Sequence, residues 1–501
     1  MSDANETATN AAVEEAEAST SELNLDNLKI EDDNFRDKEL NEIDDSSIEA
    51  VPSGDTPYTS AVGYDDNFRD KELNEIDDSS IKAVPSGDTP YTSAVGYEDL
   101  NLSVELLKGL YLEMKFEKPS RVQSITLPMI LTPPYKDLIA QAPNGCGKTT
   151  CFTLGMLSRV DPTNLRTQAL CICPTRELAI QSLEVLRKMG KYTGISSQCA
   201  VPKERGNNGR KPISAQVVIG TPGTLKKMLS EKKLSTDSMK VLVFDEADRM
   251  MATDGFQDDS LRIMKDIQKK SIYNCQVLFF SATFDEAVKS FVKRVAKDDA
   301  NQLFVKNEDL SLEAVKQYKV YCPDEDAKIS VIKHRILDLT EKLGQIIIFV
   351  NRRVSASELW KALTALGYGV TTIHGACEID ERDKIISEFK KGLTQVLIST
   401  DLLARGFDQQ QINVVINYDL PIKHGTSDPD YEDYMHRIGR AGRFGRQGAI
   451  FNFLFDGSKS DTCDTRVMEK IEQHFKKEVK LIPSWESDED FKDALKAAGL
   501  L

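Results

Sequence analysis

Between residues 136 and 305 the chain alternates short apolar runs with longer stretches of mixed character. The runs are Leu138–Gln141, Ala169–Cys173, Ala215–Ile219, Val241–Phe244, Val277–Phe280 and Leu303–Val305. They are rich in β-branched and aromatic residues and show little polar alternation, as strands covered on both faces do. The helical stretches between them predict a doubly wound α/β sheet. A polar segment at 306–314 reads as a linker. A second set follows at Tyr318–Tyr321, Ile346–Val350, Val370–Ile373, Val396–Ser399, Val414–Asn417 and Ala449–Leu454. Upstream, Ser103–Glu113 is amphipathic with Ser103 placed as an N-cap, and Pro119 ends one helix and suits the first turn of another. The pattern predicts two α/β domains, at 97–305 and 315–501.

Residues 1–96 show neither period. Rich in Asp, Glu, Asn and Ser and poor in aromatics, they read as a largely disordered acidic tail. Asp32–Tyr64 recurs as Asp65–Tyr97 with one difference, Glu49 against Lys82. Such a period can mean ankyrin repeats, but neither copy holds two amphipathic helices. A recent duplication, or an error in assembling the sequence, fits better, and only the second copy abuts the folded body.

Charge sharpens that division. The net charge of −16 over 501 residues argues against a nucleic-acid partner at first sight. Residues 1–97, however, carry 25 of the 80 acidic side chains and 6 of the 64 basic ones, which leaves the body at +3. A local basic groove on the body is therefore compatible with the total. The absence of a membrane-length apolar run or a signal-peptide core reads as a soluble, intracellular chain. Nine cysteines without C-x-x-C pairs suit free thiols, and five dispersed histidines give no metal-site spacing.

The chemistry gathers where strands end, which is where open parallel sheets bind ligands. Val241–Phe244 runs into Asp245-Glu-Ala-Asp248, and Leu138–Gln141 into Ala142-Pro-Asn-Gly-Cys-Gly-Lys-Thr149. Gly145 and Gly147 free the backbone to wrap phosphates, Lys148 can reach the outer phosphates, and the Thr149 hydroxyl can ligate Mg²⁺. Asp245 would hold the same Mg²⁺, and Glu246 could orient and deprotonate a water. This is the pattern of a nucleoside-triphosphate hydrolysis site. Pro174-Thr-Arg176, Thr221-Pro-Gly223 and Ser281-Ala-Thr283 also stand at strand ends and suit phosphate contacts. The Gln123 amide offers the donor and acceptor that an adenine edge requires. The second domain has no Lys-bearing phosphate loop. Its Thr400–Asp408 and Tyr434–Arg443 stretches space several arginines closely, so Arg440 and Arg443 can reach across to a γ-phosphate.

With these motifs in order over residues 97–501, the chain resembles the DEAD-box RNA helicases. The resemblance implies two RecA-like domains joined by a linker, RNA-dependent ATP hydrolysis, and ATP with Mg²⁺ as cofactors. It implies that Tyr97 stacks on adenine beside Gln123, and that Ala142, Gly145, Cys146, Gly147, Lys148, Thr149 and Thr150 hold the phosphates. Asp408 would take the ribose, and His436 would act with Arg440 and Arg443. RNA would be gripped by Pro174, Thr175, Arg176, Thr221, Gly223, Asn351, Gly375, Arg382, Thr400 and Arg405, and Ser281–Thr283 would couple hydrolysis to strand separation. Ile379-Asp-Glu-Arg382 departs from the Gln-x-x-Arg of many relatives, and the basic loop Val201–Lys211 stands where the family has a Gly-Gly turn.

Ser86–Tyr91, Met114–Pro119, Leu131–Pro134, the long spacer Ile422–Glu432 and the end Ala494–Leu501 are similar to the subfamily that drives messenger-RNA export at the nuclear pore. That resemblance implies single-stranded RNA and RNA–protein complexes as substrates, a pore-filament nucleoporin as docking partner, and an activator working with inositol hexakisphosphate. It also implies a monomer, cytoplasmic and nuclear, concentrated at the cytoplasmic face of the pore, with no membrane insertion. Three alternatives stay open: a general translation or RNA-processing helicase of the same family, a P-loop switch without helicase work, and an ATP-independent RNA-binding scaffold.

Overall fold

An apolar run with no polar face needs cover on both sides, and the computed structural model shows how it is supplied. The structure describes residues 81–85, 91–142, 145–202, 212–253, 255–305, 315–340, 344–400, 412–423, 425–442, 447–455 and 463–501. The first sheet is built from β1 (Ile81–Val84), β2 (Leu138–Gln141), β3 (Ala169–Ile172), β4 (Ser197–Ala200), β5 (Val217–Gly220), β6 (Val241–Phe244), β7 (Gln276–Ser281) and β8 (Asn301–Val305). Their order is β1-β8-β2-β7-β6-β3-β5-β4, parallel throughout except for the β1–β8 edge.

Eight helices accompany this sheet among the described residues: α1 (Val104–Lys108), α2 (Arg121–Leu131), α3 (Lys148–Arg159), α4 (Arg176–Met189), α5 (Pro222–Ser230), α6 (Ala247–Ala252), α7 (Phe256–Lys270) and α8 (Glu286–Val295). Alternate strand residues face opposite sides. Leu138, Cys171, Val243 and Leu278 pack in one core cluster with Phe152 and Leu183 of α3 and α4. Ile139, Leu170, Leu242 and Phe279 pack in another with Leu225, Ile263 and Phe291 of α5, α7 and α8.

The second sheet is parallel, in the order β11-β12-β10-β13-β14-β9-β15. Its strands are β9 (Val315–Cys322), β10 (Gln345–Phe349), β11 (Val370–Ile373), β12 (Val396–Ser399), β13 (Ile412–Asn417), β14 (Gly448–Phe455) and β15 (Lys480–Leu481). Helices α9 (Glu325–Ser330), α10 (Arg353–Ala365), α11 (Ile379–Lys390), α12 (Tyr431–Ile438), α13 (Cys463–Phe475) and α14 (Asp488–Ala497) accompany it. Two doubly wound parallel sheets are the fold class read from the sequence.

The differences are local and have causes. Ile81–Val84 lies in the segment read as disordered, yet it is strand β1, paired with Gln302–Val305. Asn301 Nδ2 donates to the Tyr91 hydroxyl at 3.1 Å, and the Ala94 N–H donates to the Ser124 carbonyl at 2.9 Å. The folded body thus starts before residue 97. Only Ile81 in β1 is even partly buried, so backbone pairing rather than apolar periodicity makes the strand. β4 (Ser-Gln-Cys-Ala) is a half-buried edge strand with no apolar run to announce it.

The Ser103 hydroxyl caps α1 by accepting from the Leu106 N–H. The helix then widens into a π stretch at Gly109–Glu113, where the Met114 N–H donates to the Gly109 carbonyl. Gly109 allows this segment to press on the end of α4, since a Cβ there would lie 1.9 Å from the Met189 carbonyl oxygen. Gly109→Ala should therefore destabilise the first domain by about 1–3 kcal/mol, as overpacking does. Urea denaturation followed by far-UV circular dichroism measures this, and an unchanged midpoint would show that the two backbones separate freely.

Candidate functional site

The loop from β2 to α3 is shaped by two glycines. Gly145 and Gly147 have φ of +82° and +95°, a region side chains rarely adopt. At Gly147 a Cβ would also stand 2.1 Å from Gln123 Nε2. The loop delivers the N-terminus of α3, whose first-turn N–H groups have no partner within the helix and suit an anion. Lys148 is buried and donates to the Ala142 carbonyl at 2.6 Å. Thr149 is half-buried at the helix start and Thr150 is buried. Pro143 and Asn144 lie outside the described residues.

Ser120 and Gln123 fasten this loop from α2. The Ser120 hydroxyl donates to the Cys146 carbonyl at 2.7 Å, and Gln123 Nε2 donates to the Gly147 carbonyl at 3.3 Å. Gln123 Oε1 accepts from the Ser120 N–H and from the Tyr97 hydroxyl at 3.1 Å. Tyr97 is buried, its ring edge-on to Tyr111, and desolvation raises its phenol pKa. Tyr97, Gln123 and the phosphate-loop backbone are thus one connected unit.

Opposite the loop, β6 ends in two buried carboxylates. Glu246 has φ +48°, a strained value for a residue with a side chain, which turns the chain sharply from β6 into α6. Glu246 Oε2 is buried without a hydrogen-bond partner. Desolvation, reinforced by the neighbouring Glu246 charge, pushes Asp245 up to about 7, while the Lys148 ammonium pulls the other way. Lys148 thus offsets only part of the cost of burying these carboxylates. Asp245 and the Thr149 hydroxyl are hard oxygen donors that fit Mg²⁺, which typically takes one or two carboxylates together with substrate phosphates. Among the described residues no group of three or more His, Cys, Asp or Glu would enclose a metal alone.

The second domain approaches the same carboxylates. His436, fully buried on α12, has Nε2 3.6 Å from Asp248 Oδ2 and Nδ1 3.9 Å from Glu246 Oε1. The Thr283 hydroxyl is 2.6 Å from Glu432 Oε1 of the second domain and 3.2 Å from Asp248 Oδ2 of the first. Arg440, one turn beyond His436, is buried and donates through Nε to the His436 carbonyl. Arg443 and Asp408 lie outside the described residues, as does Arg405.

The expected RNA residues stand at the strand ends of both sheets. Pro174 is buried, and the Thr175 hydroxyl caps α4 by accepting from the Leu178 N–H. Arg176 forms a two-pronged pair with Asp383 of the second domain. The Thr221 hydroxyl meets that of Thr224, and Gly223 sits half-buried in the first turn of α5. Asn351 is engaged through its N–H and both ends of its side-chain amide: its N–H donates to Asp419, its Nδ2 to the Leu420 carbonyl, and its Oδ1 accepts from Arg437. Arg382 donates to the Cys377 and Gly375 carbonyls, and Thr400 follows β12.

Sequence reasoning left several members unassigned. Glu432 and Asp383 gave no signal, because their partners are 149 and 207 residues away and on the other domain. Arg437 stood in a quoted motif, but its part is internal: it is fully buried and joins Asp433, the Asp419 carbonyl and Asn351.

Residues 120–291 match the DEAD/DEAH box helicase family, and residues 327–445 match the helicase conserved C-terminal domain. The chain is 57% identical over 481 residues to the Arabidopsis thaliana protein named DEAD-box ATP-dependent RNA helicase 38, covering 95% of this chain and 89% of that one. Saccharomyces cerevisiae Dbp5 bound to RNA and ADP–BeF3 superposes with a TM-score of 0.73 at 37% identity, covering 81% and 99%. A variant of the same yeast protein bound to Nup159, a Gle1 variant, IP6 and ADP gives 0.57 at 36% identity, covering 79% and 99%. The chain belongs to the DEAD-box ATP-dependent RNA helicases.

Proposed function

We propose that this helicase remodels RNA–protein complexes during messenger-RNA export, at the cytoplasmic face of the nuclear pore. The complexes of yeast Dbp5 with RNA, and with Nup159, Gle1 and IP6, support that reading by likeness. The corresponding partners here would be single-stranded RNA, a pore-filament nucleoporin and an activator that uses inositol hexakisphosphate. The observation that carries the mechanism is His436 of the second domain lying against Asp248 and Glu246 of the first.

In this reading the phosphate loop and the α3 N-terminus bind the ATP phosphates, with Lys148 supplying fixed positive charge. Glu246 orients the attacking water and accepts its proton. Arg440 and Arg443 meet the charge that develops on the γ-phosphoryl group. Mg²⁺, held by Thr149 and Asp245, would neutralise phosphate charge. RNA contacts both domains through phosphates and 2′-hydroxyls, so little sequence preference is expected. ATP and RNA each favour the closed pair of domains, and each must therefore tighten the other's binding. The test is ATP hydrolysis with and without single-stranded RNA, then with inositol hexakisphosphate and the candidate activator. Hydrolysis indifferent to RNA would favour a P-loop switch, and RNA stimulation unaltered by the activator would favour a general helicase of the family.

Three variants probe the roles. Lys148→Ala should abolish productive ATP binding, seen as loss of RNA-stimulated turnover together with loss of fluorescent-nucleotide binding; unchanged turnover would remove Lys148 from the site. Glu246→Gln should bind ATP and RNA but not hydrolyse, because an amide cannot accept the proton. A long-lived ternary complex on native gels is the expected result, and failure to bind ATP would make Glu246 structural. Arg440→Ala should lower turnover by about 10³-fold or more if it acts as a finger, with nucleotide-free RNA affinity little changed. Loss of RNA affinity with turnover intact at saturating RNA would place Arg440 in the RNA groove instead.

A further inference from the structure

Three ion pairs cross between the domains along α4 and α11. Arg176 Nη1 and Nη2 reach Asp383 Oδ1 and Oδ2, each at 2.6 Å. Arg382 Nη1 lies 3.6 Å from Glu177 Oε1, and Lys390 Nζ lies 3.2 Å from Glu184 Oε2. Residues 176 and 184 on α4, like 382 and 390 on α11, are about two turns or roughly 12 Å apart. The two helices therefore meet at both ends of a shared stretch. Each contributes both signs of charge, and each of these charges faces the opposite sign on the other helix.

Three of the four inner side chains are sheltered: Arg176 is 14% exposed, Arg382 17% and Glu177 5%, while Asp383 is 47% exposed. The Arg176 terminal nitrogens form a fork on one carboxylate, the stronger arrangement for a guanidinium, and its Nε is buried without a hydrogen-bond partner. Arg382 directs its other nitrogens to the Cys377 and Gly375 carbonyls. Arg176 and Arg382, two of the three arginines expected to grip RNA, are thus engaged with protein. The outer pair, Glu184 with Lys390, belongs to no ATP or RNA motif.

We propose that α4 and α11 form an ion-pair seam that stabilises the closed domain arrangement, with Asp383, Glu184 and Lys390 as positioning residues for closure and with Arg176 acting through Asp383. The seam rests on the reading that hydrolysis needs both domains together. It gives closure a component that is independent of either ligand and weakens with salt.

The outer pair allows a test free of the ligand sites. Glu184→Lys and Lys390→Glu each replace attraction by repulsion, and the double variant restores it with the signs exchanged. The readout is the RNA concentration for half-maximal ATPase, with kcat at saturating RNA and the thermal melting point as controls. Each single variant exchanges an attraction for a repulsion, about twice the effect of losing an exposed pair, and should raise that concentration by about threefold to tenfold, leaving kcat and melting little altered. The double variant should return to within twofold of the parent, a coupling that separated sites do not show. Asp383→Asn should shift the same quantity in the same direction as the singles.

Simple attraction of RNA predicts otherwise: Glu184→Lys would tighten RNA use, Lys390→Glu would weaken it, and the double variant would owe nothing to pairing. Opposite shifts, or a double variant no better than the worse single, overturn the seam. A parent protein whose hydrolysis ignores RNA would instead overturn the functional reading beneath it.

Discussion

Two adjacent carboxylates buried at the end of β6 set the terms for the rest of this molecule. Asp245 and Glu246 are sheltered from water, burial and the neighbouring Glu246 disfavour the charge on Asp245, and one Glu246 oxygen has no hydrogen-bond partner. Burying such a pair is costly unless positive charge is brought to it. Lys148 supplies part from the first domain. A divalent cation with ATP fits the oxygen donors that remain, and the second domain brings His436 with Arg440 one turn away. The strained turn at Glu246 belongs to the same arrangement, since it takes the chain out of the sheet at the point where the carboxylate is needed.

That constraint explains why the activity is divided between two domains. In the proposed reading the first domain holds the phosphates, through the glycine-shaped loop and the start of α3. It does not contain His436, which approaches Asp248 and Glu246 from α12. The Thr283 hydroxyl, between Asp248 of its own domain and Glu432 of the other, links the strand end after β7 to the same helix. Ligands that touch both domains gain from closure, and closure completes the charge balance. The ion pairs along α4 and α11 act on the same equilibrium from outside the ATP site.

Much of this was legible in the sequence because burial on both faces writes strands as uninterrupted apolar runs. β2, β6, β11 and β12 begin and end where those runs do. The candidate site could be placed for the same reason: a run that stops at Asp245 or before Ala142 marks the carboxyl end of a strand, where open parallel sheets hold ligands. β1 was not visible, because Ile-Lys-Ala-Val in an acidic context is held by pairing to β8 and only one side chain is partly covered. Gly109 looked like an ordinary helical residue, and only the approach of Met189 reveals why no larger residue suits it. Glu432 and Asp383 were silent, since an acidic residue on an amphipathic helix reads as a solvated face until its cross-domain partner is known. Asp408, Arg405 and Arg443 lie outside the described residues, and their roles stay as proposed.

The central claim is that ATP and RNA bind to one closed state, so that their affinities are coupled. The direct measurement is the affinity of the Glu246→Gln variant for ATP with and without single-stranded RNA, and for RNA with and without ATP. The two ratios must be equal, and coupling of this kind is typically about 5-fold to 150-fold. Equal ratios within that range are the predicted result. Ratios of one in both directions would contradict the account.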